Sequence, residues 1–278
     1  MSIRCVALDL DETTLDENSR LSPATEAVLG ELSARGVELV FASGRALGTY
    51  PKELLTFPGV RYAITSNGAA IVDLRRGEAI YRHCLTPNAV EAILAVSADY
   101  PVTYETFLDG IGYADADYVR RPEAYGAYGR TADYIRTTRI PTEDILTFIR
   151  SHADRLDAID LIVTDPIARK ALWQALEGCG APLYLTTSAE RLIEISHAGG
   201  GKGTALAFLL ERLGIPAAEC AAFGNGDNDA PMLEAAGIGI AVANATPLCI
   251  KAAKYVTLDY REEGVAHALR NLFALNIP

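Results

Sequence analysis

Cys5-Val6-Ala7-Leu8-Asp9-Leu10-Asp11-Glu12-Thr13-Thr14-Leu15 governs how the rest of this chain is read. An apolar run delivers two carboxylates, two residues apart, at the point where the run stops. Side chains two apart on a strand point the same way. At the ragged end of a strand, one side chain and the next residue's backbone can both reach a single small site. Crowded acids are costly unless a cation, a proton or a reaction needs them there. The stretch reads as a strand that ends in a site.

Outward from it, strand and helix alternate. Ile3 to Leu8 is continuously apolar, the pattern of a strand buried on both faces. Ser22-Pro23 supplies an N-cap and a first-turn proline. Ala24, Val28 and Leu32 then repeat at helical spacing, and Gly36 stops the helix. Val37 to Ala42 is a second strand and Ile64 lies in a third. The C-terminal part repeats the rhythm: Leu206, Leu209, Leu210 and Leu213 stripe a helix ended by Gly214. Cys220 to Phe223 and Ile238 to Val242 are short strands around a helical segment at Pro231 to Ala236. Alternation of this kind predicts a doubly wound parallel sheet, an α/β Rossmann-like core whose ligands bind off the carboxyl ends of the strands.

The middle differs. From Leu85 to Thr187 the chain is rich in tyrosine and arginine, with hairpin alternation at Val102 to Tyr113 around Asp109-Gly110. Helical patterns at 143–152 and 166–177 flank a strand at 158–163. The expected organisation is a core of residues 1–84 and 188–278, with an α+β domain of residues 85–187 inserted between its halves.

Composition narrows the function. The chain has 278 residues, 50% hydrophobic and 22% charged, with a formal net charge of −11. That charge argues against a nucleic-acid partner, and an anionic substrate must be captured by local cations. The apolar runs are too short to cross a bilayer, and the first run, broken by Asp9, does not read as a signal peptide. The five cysteines are scattered without metal spacing and read as buried hydrophobes of a reducing cytoplasm. A cytoplasmic protein without membrane association, monomeric or homodimeric, is expected.

Four strand-end motifs converge on one sheet edge: Asp9-x-Asp11-x-Thr13, Ser43-Gly44-Arg45, Lys202 after Gly199-Gly200-Gly201, and Gly224-Asn225-Gly226-Asp227-Asn228-Asp229. The kit suits phosphoryl transfer. A carboxylate can attack phosphorus to give an aspartyl-phosphate, splitting one hard step into two. Carboxylate and phosphate repel, so a hard cation is needed, and Mg²⁺ takes one or two carboxylates plus phosphate oxygens. A lysine adds positive charge, and a hydroxyl or backbone N–H completes the phosphate cradle. A second carboxylate, kept off the metal, can protonate the leaving oxygen and later activate water.

Other readings fail on spacing. A calcium loop beginning at Asp9 would need glycine at Thr14 and glutamate at Arg20. A P-loop ending at Lys202 would need glycine at Ser196 and a hydroxyl residue at Gly203. The Gly224-Asn225-Gly226-Asp227 stretch is like one calcium β-roll repeat, but nothing repeats it. The four histidines share no spacing and read as structural.

The motif order and the size of the insertion resemble the haloacid dehalogenase-like phosphatases, in particular the Cof-like group, type IIB, over essentially the whole chain. The resemblance implies Asp9 as nucleophile and Asp11 as general acid/base with its backbone carbonyl on Mg²⁺. Ser43, with Gly44, would hold the transferring phosphoryl group, and Lys202 would hold both Asp9 and the phosphate. Asn225 would contact the metal, and Asp229 would orient metal-bound water or Lys202. Asn67, in Ser66-Asn67-Gly68-Ala69, would face the active site, and Asn228 joins the phosphate-binding set. Arg45 either reaches substrate or caps a helix. The insert would close over the site as a cap where substrate choice resides. Two departures stand out: Glu12 replaces glycine or aspartate and Thr14 an aliphatic residue, which alters the loop; Asn225 replaces an aspartate, which weakens the metal site. The expected enzyme hydrolyses a phosphate monoester of a small metabolite, such as a sugar, flavin or pyridoxal phosphate. The alternatives are a phosphotransferase or phosphomutase, or a weakly active phospho-ligand binder because of Asn225.

Overall fold

The structure, a computed structural model, describes residues 3–274. Its strands in chain order are β1 (Cys5–Asp9), β2 (Glu38–Ala42), β3 (Val60–Thr65), β4 (Ala70–Asp73) and β5 (Glu78–Arg82). There follow β6 (Thr103–Leu108), β7 (Ile111–Asp115), β8 (Arg139–Thr142), β9 (Leu156–Ile162), β10 (Leu183–Thr186) and β11 (Leu192–His197). β12 (Cys220–Gly224), β13 (Ile238–Ala241) and β14 (Tyr255–Val256) complete the set. They form two sheets in two compact units, one made by residues up to 45, 50–81 and from 201 on, the other by 46–49 and 82–200.

The first unit is the α/β core. Its sheet runs β14-β13-β12-β1-β2-β3-β4-β5, parallel from β14 to β3, with β4 antiparallel to β3. Every residue of β1 is buried, as its apolar run requires. Cys5 and Ala7 face one layer, where Leu206, Leu209 and Leu210 of the helix Lys202–Leu213 pack with Met232, Leu233 and Cys249. The helices Pro23–Ala34 and Gly264–Phe273 pack on each other and bury Val28, Leu29, Leu32, Val265 and Leu269. The Ser22 hydroxyl caps the first of these by accepting from Thr25 N–H, as its Ser-Pro start predicts. Chain order reverses at β1, with β2 on one side and β12 on the other. That switch point opens a crevice off the carboxyl ends, where Asp9 is the last residue of β1.

The second unit is the α+β insert. Its sheet runs β10-β11-β9-β6-β7-β8, antiparallel except for the β7–β8 pair. One face packs Tyr104, Leu108, Ile159, Leu161, Ile193 and Ile195 against the helices Pro87–Ser97, Ile145–Ser151 and Pro166–Glu177. The β6–β7 hairpin turns at Asp109 and Gly110, both left-handed at φ 52° and 79°.

The expected insert ends too early. Residues 188–200 belong to the second unit because β11 pairs with β9 and β10. Residues 46–49 join it too, with Gly48 N–H donating to Gly110 C=O at 2.9 Å. A hydrophobic strand such as β11 reads alike in either sheet; only its pairing tells them apart. Among the described residues no helix is long and apolar enough to cross a membrane. The five cysteines are free, with Cys5, Cys220 and Cys249 buried.

Candidate active site

Asp9 is 5% exposed at the tip of β1. Beyond it the chain coils tightly, Leu10 C=O accepting from the N–H groups of Thr13, Thr14 and Leu15. The Thr14 hydroxyl donates to Asp9 C=O at 2.5 Å. Thr14 thus ties the loop to the strand end, which an aliphatic residue could not do. Glu12 adopts a left-handed φ of 54°, a conformation that favours glycine, and its C=O accepts from the Asn244 amide at 2.9 Å.

Lys202, the first residue of its helix, is fully buried. Its Nζ donates to Asp9 Oδ1 at 2.7 Å and to Asp229 Oδ1 at 2.6 Å. The other oxygen of Asp229 accepts from the backbone N–H groups of Asn225 and Gly226, each at 2.9 Å. Asp229 is thereby fixed between the loop after β12 and the ammonium. Two carboxylates against one ammonium leave one negative charge in excess in a buried cluster. Burial, then Asp229, push the Asp9 carboxyl up to about 7, with Lys202 pulling the other way. Burial alone would lower the lysine; Asp229 and then Asp9 more than offset it and hold the ammonium charged.

The loops after β2 and β3 are stitched together beside this pair. Asn67 N–H donates to Ser43 C=O at 3.1 Å, and Ser66 N–H to Arg45 C=O at 3.0 Å. The Ser43 hydroxyl accepts from Arg45 N–H at 3.1 Å. Asn228 donates its amide to Asn67 Oδ1 at 2.9 Å, so the two asparagines orient each other. Asn67 is left-handed (φ 54°), and a Cβ on Gly68 (φ 90°) would stand 2.3 Å from the Gly201 carbonyl. Only glycine permits that approach, which brings the Asn-Gly turn onto the start of the Lys202 helix.

Arg45 turns toward the first motif. Its guanidinium forks onto Asp11, Nε to Oδ2 at 2.8 Å and NH2 to Oδ1 at 2.5 Å, and also reaches Ser19 Oγ at 2.9 Å. Of the acids in the first motif, Asp9 is held inward by Lys202 and Asp11 stands exposed under Arg45. Among the described residues no three His, Cys, Asp or Glu side chains are arranged to hold a metal ion. The oxygens that could hold one are instead a mixed set, the Asp9 carboxylate, the Asp11 backbone carbonyl and the Asn225 amide oxygen, with Asp229 engaged by Lys202 and the Asn225 and Gly226 N–H groups. An all-oxygen set with excess negative charge fits Mg²⁺.

Of three hydroxyls here, the sequence motifs include Thr13 and Ser66 without giving them a role, and they leave out Tyr50. Thr13 Oγ1 and Ser66 Oγ are buried with no hydrogen-bond partner, and Tyr50, buried, donates to Ile64 C=O at 2.6 Å. Thr13 was visible, since it continues the every-second-residue spacing of Asp9 and Asp11. Tyr50 lies outside every motif and carries no such signal.

Comparison with known proteins gives the family and the fold. The family model for haloacid dehalogenase-like hydrolases matches residues 6–269. An HMP-PP phosphatase of Klebsiella pneumoniae (strain 342) is 30% identical over 273 residues, 96% of this chain and 94% of that protein. A solved haloacid dehalogenase-like hydrolase from B. subtilis superposes with a TM-score of 0.80 at 26% identity, covering 97% of this chain and 100% of that one. A solved subclass IIB sugar phosphatase shares the fold, with a TM-score of 0.80 at 20% identity over 98% of this chain and 100% of that one. With residues 6–269 matched by the family model, the chain belongs to the haloacid dehalogenase-like hydrolases and is a phosphatase of that superfamily.

Proposed function

We propose that this phosphatase hydrolyses a phosphate monoester of a small metabolite through an aspartyl-phosphate on Asp9, with Mg²⁺ as cofactor. The carrying observation is Lys202, buried and bridging Asp9 and Asp229. A buried ammonium between two acids is costly to build and serves little unless a further anion is to be received.

In the proposed reaction an Asp9 carboxylate oxygen attacks phosphorus while the ester oxygen departs, taking a proton from Asp11. Lys202 keeps Asp9 aligned and offsets charge on the phosphoryl oxygens. The Ser43 hydroxyl and the Asn67 amide donate to those oxygens, and the Asn228 contact sets the Asn67 amide's orientation. Asp11 then removes a proton from water, which cleaves the acyl-phosphate and frees Asp9 and phosphate. Asp9, the Asp11 carbonyl and Asn225 would hold Mg²⁺, with Asp229 orienting Lys202 and metal-bound water, and the ion would supply charge neutralisation between carboxylate and phosphate.

The test is phosphate release from an aryl phosphate, with Mg²⁺ and with chelator, for the native chain and Asp9→Asn. Release that needs both metal and Asp9 supports the reading; release undiminished in Asp9→Asn overturns it. HMP-PP, named for the Klebsiella relative, is the first metabolite to assay, followed by sugar phosphates. An added acceptor sugar that becomes phosphorylated at the expense of free phosphate would make the enzyme a phosphotransferase instead.

A further inference from the structure

Among the described residues the two sheets end in the edge strands β5, β14, β8 and β10, and the first three are blunted. β5 carries a charge at each end, Glu78 and Arg82; β8 starts at Arg139 and contains Pro141; β14 is two residues long and follows Lys254. Charges, prolines and short length are the usual guards against pairing with another chain. β10 is less guarded: Leu183-Tyr184-Leu185-Thr186 is uncharged and free of proline. Pro182 C=O accepts from Ala198 N–H at 2.9 Å, so residues 182, 184 and 186 turn their backbone groups toward β11. Alternation then points the N–H and C=O of Leu185 outward, where the sheet order places no further strand.

Beside that edge runs an apolar groove. Leu183 and Leu185 lean onto the helical core together with Trp173 of the helix Pro166–Glu177. These three, with Leu176 and Glu177, line an open groove of about 250 Å³. The groove is charged at both ends. Glu177, exposed, stands at the Leu183 end. At the other end Arg169 donates to Leu192 C=O at 2.8 Å, the oxygen that also accepts from the Thr187 hydroxyl at 3.1 Å. Lys170, beside Arg169, is exposed. Lys170 and Glu177 flank Trp173 along one stripe of the helix, one turn before it and one turn after. The helix therefore runs antiparallel to β10, acidic where the strand begins and basic where it ends.

We propose that the β10 edge is a homodimer interface, on which a second copy of this chain pairs its own β10 antiparallel about a two-fold axis. A two-fold interface has to be complementary to itself, and this edge is. With Leu185 opposite Leu185 of the second copy, each donates its N–H to the other's C=O. Leu183 then lies opposite Thr187 of the second copy, and the leucines and Trp173 of one copy close the open groove of the other. The same arrangement carries Glu177 of each copy to the Lys170 end of its mate, so the charges match on both sides of the axis. An unrelated strand would satisfy the backbone but would bring no such pair of opposite charges at the two ends. A net charge of −11 opposes self-association, so the pairing has to come from this local fit. One strand and one helix per copy make a small interface, and the dimer is of the micromolar class.

The experiment is a dilution series of the full chain followed by sedimentation velocity and by the emission of Trp173, its only tryptophan. Expected is a dimer at about 100 µM that becomes monomer by about 0.1 µM, with Trp173 emission moving to the red along the same curve. Leu185→Pro removes the N–H at the axis, and Leu185→Lys sets two like charges opposite each other; each raises the dissociation constant by at least about thirtyfold. Glu177→Lys raises it by about tenfold, and adding Lys170→Glu, which swaps the pair, brings it back. That recovery separates a lost interface from a damaged fold, and far-UV circular dichroism of each monomer checks the fold directly. A native chain that stays monomeric at about 100 µM overturns the proposal, whether or not an extended peptide then binds the edge. So does a dimer that the folded Leu185→Pro and Leu185→Lys variants form as well as the native chain, one whose dissociation leaves Trp173 emission unmoved, or a charge swap that recovers nothing.

Discussion

Arg45 grips both carboxylate oxygens of Asp11, at 2.8 and 2.5 Å, across a loop and a strand that are far apart in sequence. A two-pronged guanidinium–carboxylate pair fixes direction as well as distance. It aims the acid that the proposed reaction uses to protonate the leaving group. Asp11→Asn is expected to slow phosphate release by about 10²- to 10⁴-fold, the usual worth of general acid–base help. Arg45→Ala should cost less, about tenfold, and Arg45→Lys should not restore it because an ammonium cannot make the fork. If Arg45 acts through Asp11, the double variant Asp11→Asn/Arg45→Ala is no slower than Asp11→Asn alone. Additive losses in steady-state rates would assign Arg45 a role of its own.

Lys202 bears on stability as much as on chemistry. Replacing it with methionine leaves Asp9 and Asp229 buried without their shared cation. The expected cost is about 3–5 kcal/mol in urea unfolding. Adding Asp229→Asn to Lys202→Met should recover part of that loss without recovering activity, since it removes one of the stranded charges. A Lys202→Met protein as stable as the native one would mean that the ammonium contributes nothing net to the fold.

Much of this was legible in the sequence because strand ends and helix starts carry local signatures. The apolar run into Asp9, the Ser22-Pro23 start and the Asp109-Gly110 turn each specify their own geometry through neighbouring residues. What could not be read depends on pairing across the chain. Residues 188–200 look like core strand until β11 is seen between β9 and β10. The Arg45–Asp11 fork and the Asn228–Asn67 amide pair join side chains whose separation in sequence says nothing about distance.

Metal-free stability should carry the mark of Asp9. Its ordinary value is 3.8, and in the folded protein burial and Asp229 raise it to about 7. Between those values the native state keeps a proton that the unfolded chain has released. Stability therefore falls as pH rises through that window and levels off on either side of it. Asp9→Asn has no such proton to lose. In chelator, the stability of the native chain relative to Asp9→Asn is expected to decline from about pH 4 to about pH 7. Urea unfolding at several pH values measures it, and parallel curves for the two proteins would refute the buried, destabilised carboxylate.

Asn225 sets the last expectation. An amide oxygen can ligate Mg²⁺ but brings no charge, and a nearby acid could in principle move in to compensate. The structure ties both neighbours down. Asp229 has one oxygen on Lys202 and the other on the Asn225 and Gly226 N–H groups, and Asp227 accepts the Thr246 hydroxyl at 2.6 Å. Neither can swing into the metal position without giving up those contacts. Asn225→Asp should therefore lower the Mg²⁺ concentration that half-saturates phosphate release by about tenfold, equivalent to about 1.4 kcal/mol of binding. The rate at saturating Mg²⁺ should change little, because the substitution acts on occupancy and leaves Asp9, Asp11 and Lys202 in place. A Mg²⁺ titration of both proteins decides it: half-saturation that is already tight in the native enzyme and unmoved by Asn225→Asp would show that the missing charge is supplied from elsewhere.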